Sequence, residues 1–250
     1  MPNELLFYNM LNSIEQYYLE LSEKDLLPQN HIKYLEKLKR DGFEPNVIYD
    51  IGSCVLHWTR HAKRIWPNAQ IILFDANPYC KFLYDGYQFY SGILSNISGI
   101  NKKFYLNEFS PGGASYYREI GSPYSNQLYP ENRYYMIKSM TLDDVATKYN
   151  LPPPDLVKMD VQGSEKDILE GGKNIMNNTK HLIMEIPKPG IMYNQNSPSR
   201  EETFKLADIL GWECTAPLFS DNGNFDGDYG FTRKKFVDKI NNIYDNQTYY

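Results

Sequence analysis

Cysteine is scarce: Cys54, Cys80 and Cys214 are the only three in 250 residues, and no two of them form a Cys-x-x-Cys pair. That spacing indicates neither a disulfide framework nor a zinc site. No stretch reaches the roughly 18 apolar residues of a membrane-crossing helix. Met1-Pro2-Asn3-Glu4 also lacks the positive segment that opens a secretory leader, so a cytoplasmic protein without a membrane span is expected. Basic residues are outnumbered, with 26 Lys and Arg against 31 Asp and Glu and a net charge of −5. Without an overall positive field, nucleic acid is not an expected partner. Internal repeats are absent, and the sequence carries no signal for an oligomeric state.

What is abundant is hydrophobic and aromatic. A 42% hydrophobic content can bury a sizeable core as one α/β domain, and 22 tyrosines take the aromatic share to 15%. The chain is organised around Val47-Ile48-Tyr49-Asp50-Ile51-Gly52-Ser53-Cys54, an apolar run that stops at an acid and a glycine and reads as a buried strand entering a tight turn. A helix follows, with Val55, Trp58, Ala62, Ile65 and Trp66 on one face. Strand, glycine turn and helix N-terminus make a cradle for a nucleotide-like ligand, because the glycine permits close approach and the helix offers unpaired N–H groups.

Two amphipathic helices are expected ahead of this unit, over 3–22 and 29–40, packed on the sheet edge. After it, Ala69 to Asp75 is a second strand that again ends on an acid, 25 residues beyond Asp50, close to the roughly 20-residue separation at which a second-strand carboxylate meets a ribose. Asn77-Pro78 opens a helix to about Leu83, Tyr87–Leu94 is a third strand and Lys102–Leu106 a fourth. Residues 107–135 lose periodicity but hold six tyrosines, which argues for a packed or substrate-facing loop. Thr141 caps a short helix that Asn150 ends, Asp155–Val161 is a strand, and Ser164 is expected to cap a helix ending near Gly171-Gly172. His181–Ile186 is a strand, Ser199 and Glu202 form a capping box, and weaker strands cover Trp212–Thr215 and Asp228–Thr232. This alternation implies a mostly parallel sheet covered on both faces, with a helical extension over 1–45, a core over 46–233 and a polar tail over 234–250.

Asp50, Asp75, Asp160 and Glu185 all stand at strand ends. In a parallel sheet those tips share one edge, so the acids converge on one cleft, where carboxylates bind hydroxyls, hold an amine, coordinate a hard metal or take a proton. Here the residues carry a resemblance. Val47 to Ser53, Leu73-Phe74-Asp75-Ala76-Asn77-Pro78, Thr141-Leu142-Asp143-Asp144, Asp155 to Glu165 and Leu169-Glu170-Gly171-Gly172 resemble the FkbM-type S-adenosylmethionine-dependent methyltransferases. The K-x-D-x-x-G-x-E block ending the likeness is its specific part; the first two blocks are shared by many methyltransferases.

The resemblance implies a class I methyltransferase fold, S-adenosyl-L-methionine as cofactor, and methyl transfer to an oxygen of a small-molecule or glycan acceptor, a sugar hydroxyl above all. It places Asp50, Gly52 and Ser53 at the methionine end of the cofactor, Asp75 on the ribose hydroxyls with Ala76 and Asn77 beside it, and Ile93, Leu94 and Ser95 near the adenine. Asp160 is the candidate base at the acceptor hydroxyl, with Glu185 as its partner base or as co-ligand of a divalent metal, a choice the spacing leaves open. Glu165 is assigned to the first turn of its helix, His57 to a helix surface and His181 to the far end of the sheet. The family's first loop runs D-x-G-A-N-x-G, whereas this chain has Ser53, Cys54 and Leu56; a leucine in place of the last glycine is expected to narrow the approach to the methionine moiety.

Two other readings use different residues. Tyr134-x-x-x-Lys138 matches the spacing of a Tyr/Lys pair in an NAD(P)-dependent sugar oxidoreductase or epimerase, although the G-x-G-x-x-G of a dinucleotide fold is missing. The altered Cys54 and Leu56 positions are compatible with a non-catalytic binding module that keeps the fold.

Overall fold

The computed structural model describes residues 2–223 and 225–237, so the tail expected from Lys234 onward lies, beyond 237, outside the described residues. Helices α1 (Pro2–Glu23) and α2 (Gln29–Arg40) lead into β1 (Val47–Ile51), α3 (His57–Ile65) and β2 (Gln70–Asp75). Asn77-Pro78 opens the expected helix as a 3-10 helix, Pro78–Tyr84, in which the Asn77 carboxamide accepts the Tyr79 amide at 3.0 Å. Then come β3 (Gln88–Ser91), β4 (Asn101–Phe104), the short α4 (Ser125–Leu128), β5 (Tyr135–Lys138), α5 (Leu142–Tyr149) and β6 (Leu156–Met159). The chain continues through α6 (Glu165–Gly171), β7 (His181–Pro187), α7 (Arg200–Ile209), β8 (Trp212–Asp221) and β9 (Asp226–Arg233).

Seven strands form one sheet in the order β3-β2-β1-β6-β7-β9-β8. Its first five strands are parallel, and β9 and β8 close it antiparallel. The order runs from β1 to β2 and β3 on one side and resumes at β6 on the other, so the switch point lies between β1 and β6 and the cleft opens above the C-terminal ends of these strands. The strand expected over 102–106 does not join this sheet. As β4 it pairs only with β5, a strand that sequence periodicity does not reveal. Asn101 and Lys103 of β4 are exposed, and a strand carrying such residues cannot be buried on both faces as the parallel strands are.

Alternation along the strands separates two cores. Tyr49, Ile51, Val157, Met159, Leu182 and Met184 face one side, where residues of α5, α6 and α7 cover them. Ile48, Leu73, Leu156 and Ile183 face the other and pack with Ile14 and Tyr18 of α1, Tyr34, Leu35 and Leu38 of α2, and Trp58 and Ala62 of α3. The leading helices therefore cover a sheet face rather than its edge, because their apolar stripes meet the alternate residues of four strands.

Helix ends follow the sequence closely. Thr141 Oγ1 accepts the Asp144 amide at 3.1 Å, Asn150 ends α5 at a φ of +50°, and Ser199 and Glu202 form the reciprocal capping box of α7. Ser164 departs from its expected role: its hydroxyl donates to the Val161 carbonyl at 3.0 Å and does not cap α6.

Candidate functional site

The β1–α3 turn is pinned from below. Gly52 N and Ser53 N both donate to the Phe74 carbonyl, at 2.8 and 3.2 Å, while the Ser53 hydroxyl donates to Asp50 O at 2.7 Å and accepts from Phe74 N at 3.2 Å. Gly52 has a φ of +82°, and a Cβ there would stand 1.8 Å from the Asp160 carbonyl oxygen. Glycine thus lets the turns after β1 and β6 touch, so the approach it permits is that of the Asp160 carbonyl, where the sequence suggests a ligand.

Cys54 and Leu56 occupy left-handed backbone, with φ of +43° and +69°, a conformation that costs a non-glycine residue about 1–2 kcal/mol. Leu56 does not narrow the cleft. Its side chain is buried in the helical layer against the Ile48 and Trp58 cluster and lines neither cavity described below. Burying a leucine is worth about 1.5–3 kcal/mol, enough to hold it in the strained turn.

One cavity is lined by Gly52, Cys54, Phe74, Asp75, Ala76, Ile93, Leu94 and Asp160, and by Pro111, Gly112, Ala114, Ser115 and Tyr116 of the tyrosine-rich loop. Asp75 accepts the Cys54 amide at Oδ2 and the Asn77 amide at Oδ1, both at 2.7 Å, and burial pushes its carboxyl up to about 6. Each oxygen retains a lone pair for a ligand hydroxyl. Asn77 points away, donating to the Tyr18 hydroxyl at 2.9 Å, and Ser95 is fully buried outside the lining. The loop is also packed by its own side chains: Tyr116 and Tyr117 donate to Asp167 at 2.8 and 2.9 Å, and Gly113 N donates to the Tyr129 hydroxyl at 3.0 Å.

A second cavity is walled by His31, His57, Trp58, Lys158, Asp160, Glu185, Asn222 and Asp228. It shares Gly52, Cys54, Gly112 and Asp160 with the first, so the two meet over the β1 and β6 turns. His57 is no surface residue: it is half-buried in this wall, with Nε2 at 2.8 Å from the Leu21 carbonyl. His181 lies at the far end, at the start of β7, where burial pulls it down to about 4.

Asp50 lies behind this wall. It is 0% exposed, accepts from the Thr59 hydroxyl and sits 3.6 Å from Lys158 Nζ, so it does not face either cavity. Burial outweighs that attraction and holds its carboxyl above the ordinary range. Lys158, which has no assigned role in the sequence reading, is the hub. Burial works against its charge, yet Asp160 at 3.2 Å and Asp50 keep the ammonium well above its usual range. Burial likewise raises Asp160, but Lys158, Glu185 and Gln162 outweigh it and hold the carboxyl below the ordinary range.

Asp160 and Glu185 do come together, through an amide. Gln162 Nε2 donates to Asp160 Oδ1 at 3.1 Å and to Glu185 Oε2 at 2.6 Å, and Asn222 Nδ2 donates to Glu185 Oε1 at 2.8 Å and to Asp228 Oδ2 at 3.0 Å. Asp228 Oδ2 then meets His31 Nε2 at 2.7 Å. Burial and the surrounding carboxylates push Glu185 well above the ordinary range, the opposite direction to Asp160. Among the described residues no group of three or more His, Cys, Asp and Glu side chains is placed to hold a metal ion.

Glu165, on the first turn of α6, accepts the Val161 amide at 3.0 Å and so fixes the β6 turn. Burial pushes it up to about 8. A folded value above the unfolded one, about 4.3 for Glu, means its contribution is fully present below pH 4 and is lost as pH rises toward 8. Glu165→Gln keeps the acceptor and removes the titration. Its urea midpoint should vary less between pH 5 and 8 than that of the parent chain, which should be the more stable at pH 5; parallel profiles would remove Glu165 as the cause.

Tyr134, just before β5, and Lys138, at its end, are both exposed and line neither cavity. Sequence comparison gives a match to the methyltransferase FkbM domain over residues 46–213. No curated protein matches the chain. The solved precorrin-6y C5,15-methyltransferase of Geobacter metallireducens is similar over 84% of this chain and 91% of its own, at 14% identity and a TM-score of 0.43. The O-methyltransferase TomG of Streptomyces achromogenes, solved with S-adenosylmethionine, is similar over 89% and 88%, at 10% identity and a TM-score of 0.46. Under the FkbM methyltransferase match, the mostly parallel seven-stranded sheet with helices on both faces is the class I methyltransferase fold. The family match runs from the residue before β1 into β8 and takes in both turns where the cavities meet: the chain belongs to the FkbM methyltransferase family.

Proposed function

We propose that the protein is an O-methyltransferase that uses S-adenosylmethionine in the first cavity to methylate a hydroxyl of a sugar or glycan in the second. What carries the reading is the junction: two cavities share the wall formed by Gly52, Cys54, Gly112 and Asp160, so a ligand in each would meet there. The first cavity fits the cofactor through Asp75, with Ala76 beside it, for ribose hydroxyls, and Ile93 and Leu94 for the adenine, over a floor where Gly52 lets the β1 and β6 turns meet. The bound cofactor supplies an electrophilic methyl group.

The chain's own residues do the rest. Asp160, with 37% of its side chain exposed, accepts the acceptor's O–H hydrogen bond and fixes that oxygen at the junction. Lys158 keeps this carboxylate ionised, which makes it a reliable hydrogen-bond acceptor and a weak base, sufficient for a proton lost as the oxygen acquires its new bond. Glu185, tied to Asp160 through Gln162, holds the carboxylate's orientation. Asp50 and Ser53 support the turn from beneath.

Calorimetry with S-adenosylmethionine, S-adenosylhomocysteine and NAD, followed by mass spectrometry of sugar acceptors for a gain of one methyl group, tests the reading. Binding of the first two and not of NAD is expected, and the reverse would sink it. Asp75→Ala should mainly weaken cofactor binding, whereas Asp160→Asn should lower kcat by about a hundredfold with cofactor affinity retained. Equal cofactor affinity in the parent chain and the Asp75 variant would remove the ribose assignment.

A further inference from the structure

The first cavity follows the sheet edge in strand order, from Ile93 after β3, past Asp75 on β2 and Gly52 after β1, to Asp160 and Gln162 after β6. With the ribose on Asp75 and the adenine on the β3 side, the methionine arm of S-adenosylmethionine extends the other way, to the β6 turn. That arm ends in an ammonium and a carboxylate. Asp50, which the resemblance assigns to this end of the cofactor, is 0% exposed and lines neither cavity. The ammonium therefore needs another acceptor.

Gln162 has one to offer. Its Nε2 is spent on Asp160 Oδ1 and Glu185 Oε2, at 3.1 and 2.6 Å. Those partners fix the direction of the amide, because an oxygen in the place of Nε2 would face the ionised Asp160 carboxylate. Oε1 consequently points the other way. Among the described residues it accepts from no protein donor, and it is not sealed from solvent. Gln162 is half-buried and lines the first cavity but not the second, so the free oxygen stands on the cofactor's side. Donating to two carboxylates polarises the amide and makes Oε1 a better acceptor for a cation. The backbone is held in an unfavourable state at the same point: Gln162 has a φ of +55° and, unlike Leu56, no apolar side chain to bury in return.

We propose that Gln162 Oε1 accepts a hydrogen bond from the α-ammonium of the cofactor's methionine arm, so that one side chain links the bound cofactor to the Asp160 and Glu185 carboxylates. The proposal rests on the methyltransferase reading of the first cavity. Gln162 acts on cofactor binding, and Asp160 remains the group at the reacting oxygen.

Calorimetry on the full chain with S-adenosylhomocysteine and two thioethers of 5′-deoxyadenosine tests it. The aminopropyl thioether keeps the amine of S-adenosylhomocysteine without its carboxylate; the propyl thioether has neither. In the parent chain the aminopropyl compound should bind about tenfold more tightly than the propyl compound, the worth of one charged hydrogen bond. Gln162→Met, which keeps the length of the side chain and removes the amide, should abolish that difference and leave the propyl affinity unchanged. Asp160→Asn should retain the difference, since Gln162 stays anchored on Glu185. The proposal is overturned by equal binding of the two thioethers to the parent chain, or by a difference that survives in Gln162→Met. Loss of the difference in Asp160→Asn would also overturn it, by moving the ammonium to that carboxylate. If the parent chain binds none of the three ligands, the methyltransferase reading itself falls, and the proposal with it. Should Gln162→Met not fold, Gln162→Asn decides, because asparagine tolerates left-handed backbone and withdraws the amide by one methylene.

Discussion

Gly52→Ala should cost the protein its cofactor site and about 4 kcal/mol or more of stability, a magnitude reserved for a few defined mechanisms. Two of them act here. The residue sits at a φ of +82°, which costs a side-chain-bearing residue about 1–2 kcal/mol. The added methyl would also stand 1.8 Å from the Asp160 carbonyl oxygen and 2.8 Å from its carbon. That carbonyl cannot simply move, because the Asp160 amide is bonded to Ile51 O at 3.0 Å and Gly52 itself to Phe74 O at 2.8 Å. The clash must open the contact between the β1 and β6 turns, where both cavities meet. The melting temperature should fall by roughly 8–16 °C, at 2–4 °C per kcal/mol for a chain of this size, and calorimetry should detect no S-adenosylhomocysteine binding. Gly42→Ala separates the two causes. Gly42 has a comparable φ of +86° but nothing within 4 Å of its virtual Cβ, so only the backbone term applies, about 1 kcal/mol. Similar losses in the two variants would rule out the contact as the dominant effect.

Gly52 also shows how much of the site can be read from sequence. An apolar run ending in Asp-x-Gly identifies the turn, and the acids at the ends of β1, β2, β6 and β7 identify the edge of the sheet that carries the cleft. What periodicity cannot supply is which way each acid faces. Asp50 is in register with Lys158 on the neighbouring strand, so both project to the face covered by α1, α2 and α3, and Asp50 is consumed there. Asn77 and Ser95 are spent in the same manner, one on Tyr18 and the turn of its own 3-10 helix, the other beneath the lining. The signal that Lys158 matters is present in the sequence: a lysine inside the apolar strand Leu156–Met159 must be paired to be buried. Its partners are not, because they depend on register and on the path of the β6 turn. His31 and Asp228 lie still further from local inference, since nothing in either segment announces a contact between α2 and β9.

Lys158→Met carries the other large expected effect. The side chain is 6% exposed and stands between Asp50, which is wholly buried, and Asp160, which is partly open to the cleft. Removing one partner of a buried ion pair leaves an uncompensated charge and costs about 3–5 kcal/mol. The penalty should arise at Asp50, because the Asp160 carboxylate can take water whereas that of Asp50 cannot. The double variant Lys158→Met/Asp50→Asn should therefore regain most of the loss: the amide keeps an oxygen for the Thr59 hydroxyl and carries no charge. The pH dependence has a definite sign. Asp50 already holds its proton more tightly when folded than an ordinary carboxylate does, and without Lys158 that tendency grows. A raised folded value means stability is retained at low pH and lost as pH climbs through it. The deficit of Lys158→Met relative to the parent chain, measured by urea unfolding, should therefore be larger at pH 7 than at pH 5. An equal deficit at both, or a double variant as unstable as the single one, would place the cost elsewhere than on the Asp50 charge. Recovery in the double variant would place the cost on the Asp50 charge that Lys158 compensates.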